Sequence, residues 1–241
     1  MRDLAILFAG EVMRMQRYGI TAASVVVLLV WVLTLHYVAP ASIDTMFPLV
    51  MLVDSMMMSL LLVGVIMLFE KQEGATKSML VLPVGKLEYL ASKVMAAVMS
   101  SIVTLVLLLA YGLAFRSLSI SVPGIVGGVI LVSVAFAQAG LVLTYRARDF
   151  TTLLMLYFVF VIIFAVPTLL EALQVFEGGW VTTLQYLNPA KNALNVLMAS
   201  TGLVQRADVV IGVAYLVVFA GVMGYLALKQ FDTYAAKEIG G

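Results

Sequence analysis

The segment Glu70-Lys71-Gln72-Glu73-Gly74-Ala75-Thr76-Lys77-Ser78-Met79-Leu80-Val81-Leu82-Pro83 is a short polar stretch set between two long apolar runs. One run covers about residues 47–69 and the other about residues 90–115. Each meets the ~20 apolar residues that cross a bilayer as a helix. A charged segment pinned between two spans is a place where a soluble partner can grip a membrane protein. Its residues have a mechanical order. Glu70 and Lys71 close the preceding span, and Gly74 suits the left-handed residue that ends a helix. Thr76 can cap a new short helix, and Pro83 ends it by disfavouring helix at Leu82. Met79, Leu80 and Leu82 give that helix an apolar face with no core of its own to enter.

Composition sets the solvent. Of the 241 residues, 63% are hydrophobic and 11% charged, against about 45–50% and about 25% in soluble domains. Mean hydropathy is +1.12. No soluble core hides that much apolar surface, so the solvent is lipid. A net charge of +1 argues against nucleic acid as a partner. The absence of cysteine removes disulfides, thiolate catalysis and Cys-based metal sites together. A leader containing Arg2, Asp3, Glu11, Arg14 and Arg17 precedes the first apolar run. That run, 20–38, is longer than the about 7–15 residues of a signal-peptide core, so no cleaved signal peptide is expected.

Six spans are expected, at about 20–38, 47–69, 90–115, 124–145, 153–170 and 209–228. Every backbone amide in hydrocarbon must be paired internally, so the fold class is all-α integral membrane. The segments on one side hold Arg2, Arg14, Arg17, Lys71, Lys77, Lys86, Lys93, Arg146, Arg148, Lys229 and Lys237, and those on the other hold only Arg116, Lys191 and Arg206. Eleven against three places both termini in the cytoplasm. In residues 1–18, Leu4, Phe8, Val12 and Met15 share a strip, with Asp3, Gly10, Arg14 and Arg17 opposite, as in a helix lying in the membrane interface. Residues 171–208 are too long for a simple turn. They are expected to form two short helices dipping back toward the membrane, separated near Asn188-Pro189.

Few residues suggest chemistry. No G-x-x-x-x-G-K-[ST] stands anywhere in the chain, so no phosphate cradle of that kind is present. His36 is the only histidine and sits beside Tyr37, as a headgroup-level anchor would. No nucleophile–base pair and no metal cluster emerges, so neither catalytic nor metal-binding residues are expected. Asp54 is the one acid inside a predicted span, flanked by Ser55, Met58 and Ser59. Either these residues line a translocation path or subunit interface, or the span starts deeper and Asp54 sits at headgroup level. The methionines of the same span, Met51, Met56, Met57, Met58 and Met67, suit varied apolar ligands or ordinary packing equally.

The run E-K-Q-E-G-A-T-K-S-M-L-V-L-P resembles the coupling-helix signature of ABC-2 type transporter permeases. Glu70, Lys71, Glu73, Gly74, Leu80 and Pro83 match that pattern, while Ala75, Thr76 and Lys77 stand where threonine, leucine and glutamate are commoner. The layout is similar over nearly the whole chain, as one domain spanning residues 1–241. The resemblance implies a permease subunit of an ATP-binding-cassette exporter, moving an amphipathic or hydrophobic drug, lipid or peptide out of the cytoplasm as a dimer with a second copy or a paralogous permease. ATP and Mg would be bound by separate ATPase subunits docked on Glu70, Lys71, Glu73, Gly74, Thr76, Met79, Leu80 and Pro83, and this chain would bind no cofactor. Trp180, Tyr186, Asn188 and Pro189 would form an outer gate. A haem-exporter-like subunit and a non-transporting scaffold or immunity protein are the alternatives.

Overall fold

The computed structural model describes residues 2–39, 42–74, 85–173, 175 and 183–240, with side chains for those from 4 to 234. The elements are α1 (Arg2–Arg17), α2 (Ile20–Tyr37), α3 (Ile43–Gln72), α4 (Lys86–Phe115), α5 (Val122–Thr144), α6 (Phe150–Ala172), α7 (Pro189–Met198), a 3-10 turn (Ala199–Thr201) and α8 (Arg206–Gly240). Among the described residues there is no strand. Six helices, α2 to α6 and α8, are long and apolar enough to cross a membrane. The chain has the architecture of a multi-pass helical membrane protein.

The helices overrun the apolar runs that reveal them. At 1.5 Å per residue, the 30 residues of α3 extend about 45 Å, against a hydrocarbon thickness of about 30 Å. Hydropathy marks only the apolar middle, so the polar last turn at Glu70–Gln72 belongs to the helix as well. Local signals set the ends. Asp149 accepts a hydrogen bond from the Thr152 amide at 2.8 Å at the start of α6. Asn188 accepts from the Ala190 amide at 2.9 Å at the start of α7, with Pro189 as the first helical residue.

The centre of the bundle is α3, buried along most of its length and packed closely against α5. Glycine permits this approach. A Cβ on Gly140 would stand 3.1–3.2 Å from the Leu60 backbone, and one on Gly64 would meet the Tyr157 hydroxyl at 2.1 Å. Without a hydrophobic force between helices in lipid, such close backbone packing is what holds them together. The outer helices α2, α6 and α8 instead present Val26, Phe158 and Val218 outward, which suits a lipid solvent.

Helix α7 fills a space between α3, α5, α6 and α8. All its residues are buried except Lys191, which is half-buried. Glycines again make the room. A Cβ at Gly128 would stand 3.0 Å from Leu197, and one at Gly212 would stand 2.9 Å from the Asn192 carbonyl.

Candidate functional site

The most concentrated polar structure lies where α1, the end of α3 and the start of α4 meet. Glu70 is its hub. One carboxylate oxygen accepts from the Arg14 guanidinium at 2.6 Å, and the other accepts from the Tyr89 hydroxyl and the Lys93 ammonium, each at 2.7 Å. Glu11 accepts from Arg14 at 2.8 Å and from Lys93 at 3.1 Å. The side chains of Glu11, Glu70 and Lys93 are each 0% exposed. The Lys93 ammonium also lies over the Tyr89 ring, 4.5 Å from its centre. Two acids and two bases cancel, which is the condition for holding charge in such a place. A rim surrounds the knot: Tyr18 donates to Glu73 at 2.9 Å, and Arg17 pairs with Glu73 at 3.3 Å.

The electrostatics follow from that closeness. Burial works against the charge of Arg14, but Glu70 and then Glu11 outweigh it and hold the guanidinium pKa above its ordinary value. Burial together with the hydrogen bond to Glu73 pushes the Tyr18 hydroxyl up to about 12. The arrangement offers no nucleophile with an adjacent base. Its capability is mechanical, because Glu70 ties the last turn of α3 to α1 and α4 at once.

Sequence reasoning missed this knot. It placed Arg14 opposite the apolar strip of α1 and counted Lys93 among the flanking charges; the structure turns Arg14 to bridge Glu11 and Glu70 and buries Lys93 completely. Two signals point to it. Glu11 stands three residues after Phe8 and four before Met15, on the strip that packs inward, and Lys93 lies inside the predicted span 90–115.

The expected docking residues divide. Glu70 faces the interior, so its carboxylate presents nothing to a soluble partner in this arrangement. Glu73 is exposed, Lys71 and Gly74 are half-buried, and Gly74 adopts φ +70° just after α3 ends. Thr76, Met79, Leu80 and Pro83 lie outside the described residues, as does the short helix expected there.

Asp54 sits about three turns into α3 and is only 1% exposed. One carboxylate oxygen accepts from the Trp31 indole of α2 at 3.0 Å, and the other has no partner among the described residues. Ser55 and Ser59 are buried, with hydroxyls that find no partner among the described residues, whereas Met58 is half-buried. Asp54 is thus enclosed between helices. His36 is exposed and holds the Tyr111 hydroxyl at 2.8 Å, with Tyr37 edge-on to its ring.

At the opposite end, Asn188 ties α6 to the start of α7 and to the segment before it. Its amide donates to the Phe164 carbonyl at 2.8 Å, to Thr168 at 3.1 Å and to Gln185 at 2.7 Å. Phe164 precedes Pro167, whose missing amide weakens that turn of α6. The Asn188 amide and the Thr168 hydroxyl both donate to the Phe164 carbonyl in that turn, beside the Ile163 carbonyl that Pro167 leaves without its helical donor. Tyr186 donates to Asp208 at 2.8 Å, which raises its hydroxyl pKa. Trp180 lies outside the described residues. Of the remaining expected gate residues, Asn188 and Pro189 are buried at the α6–α7 junction, whereas Tyr186 is exposed and reaches α8 through Asp208. No family model and no curated protein matches this chain.

Proposed function

We propose that this chain is the permease subunit of an ATP-binding-cassette exporter, with residues 70–83 as the segment on which a separate ATPase docks. The observation that carries this is the Glu70 knot, which sits on the first residue of the coupling-like motif and joins it to α1 and α4. A push on residues 70–83 would move the end of α3, and through buried ion pairs it would move α1 and α4 as well. In this function α1 lies in the cytoplasmic interface, both termini are cytoplasmic and α7 re-enters from the outside. A second copy or a paralogous permease completes a dimer, and ATP with Mg is hydrolysed on the docked subunits. The dimer then alternates between inward- and outward-facing states that the ATPases favour differently. Drugs, lipids and hydrophobic peptides are the substrate classes this apolar interior suits.

The test is copurification with candidate ATPases expressed alongside the full chain. Met79→Asp with Leu80→Asp should abolish the complex and leave membrane insertion unchanged. An intact complex that still stimulates ATP hydrolysis would remove the docking assignment.

A further inference from the structure

We propose that the groove between α1, α2 and α4 binds one glycerophospholipid of the surrounding leaflet, with an acyl chain along the groove and the phosphodiester at its α1 end. The groove has a volume of about 180 Å³. An apolar cavity of about 150 Å³ takes one benzene, and pockets for drug-sized ligands run about 300–1,000 Å³. A chain segment fits, and a compact drug does not.

The groove has a polarity axis. Leu28, Val103 and Leu107 give it an apolar lining, and Met99 packs beside Met15 of α1. Ser24, Ser100 and Thr104 also reach the wall; Ser24 donates to the Ile20 carbonyl of its own helix at 3.0 Å and Thr104 to the Ser100 carbonyl of its own at 3.3 Å. At the α1 end, the exposed side chains of Gln16 and Thr21 make no hydrogen bond among the described residues. Arg17, the next residue of α1 and just outside the groove's lining, is 73% exposed, and its contact to Glu73 is 3.3 Å. An amide, a hydroxyl and a guanidinium together match phosphate oxygens. The groove opens sideways past Val25 and Val103, each 51% exposed, where acyl chains would lie.

The full chain, reconstituted in vesicles of phosphatidylglycerol carrying a diazirine in the acyl chain, is photolysed and its adducts are mapped. Lipid retained after extraction is counted by native mass spectrometry. Adducts should concentrate on Met99, Val103 and Leu107, with one phospholipid retained per chain. Gln16→Glu with Arg17→Glu should weaken retention by about tenfold or more, since the charge-assisted hydrogen bond to phosphate is lost and two negative charges face it instead. Val103→Trp, at a half-exposed position, should fill the groove and remove the Leu107 adduct. Adducts spread evenly over α2, α6 and α8, or retention unchanged in either variant, would overturn the site whether or not an ATPase docks.

Discussion

Replacing Lys93 by methionine keeps the length of the side chain and removes its charge from the centre of the knot. Two contacts disappear, to Glu70 at 2.7 Å and to Glu11 at 3.1 Å. Two buried carboxylates then face Arg14 alone, and Glu11, whose second oxygen already lacks a partner, loses half of its remaining support. Breaking a buried ion pair by removing one partner costs about 3–5 kcal/mol. In a chain of this size each kcal/mol shifts the unfolding midpoint by about 2–4 °C, so a fall of about 6–20 °C is expected. The charge count makes a sharper test. Lys93→Met with Glu11→Gln leaves Glu70 opposite Arg14, which is neutral again. The double variant should therefore recover at least half of the loss, and the two substitutions should be strongly non-additive. Thermal unfolding of wild type, both single variants and the double variant in one detergent measures this directly. Single variants within about 1 kcal/mol of wild type, or a double variant equal to the sum of the singles, would refute the account of a compensated quartet.

Gly64→Ala should destabilise the α3–α5–α6 junction, because its Cβ would meet the Tyr157 hydroxyl at 2.1 Å and the ring carbon bearing it at 2.9 Å; Tyr157→Phe in the same chain should restore part of the unfolding midpoint. Asn188→Asp keeps the cap of α7 but loses the donor to Phe164, whereas Asn188→Ala loses both, so a loss rising from Asp to Ala, about 1 to 3 kcal/mol by chemical denaturation, is expected. Topology can be read by cysteine labelling, since the chain has no cysteine. Ser119 and Leu203 are both exposed, Leu203 at 70%. An impermeant thiol reagent should label Ser119→Cys and Leu203→Cys in intact cells and leave Leu87→Cys untouched; the reverse pattern would invert the proposed orientation.

Much of the architecture was legible because lipid makes it a local matter. Without water to pair backbone groups, any run of about twenty apolar residues must be helical, so composition alone located all six long helices and the short amphipathic one before them. Capping was equally local: Asn188 and Pro189 announce α7 in the sequence, and a glycine at 74 announces the end of α3, where the structure gives it φ +70°. Partner choice was not local. Lys93 reaches Glu11 across 82 positions of sequence and Arg14 reaches Glu70 across 56. Read singly, each is an ordinary charge beside a span, and only the packing of α1 onto α3 and α4 made them a neutral knot. Asp54 shows the same division. Its place inside an apolar run is plain from the chain, but its enclosure against Trp31 depends on how α2 leans on α3. Lipid imposes helices residue by residue, whereas buried charge must be neutralised by whatever the fold brings near, and that is decided only in three dimensions.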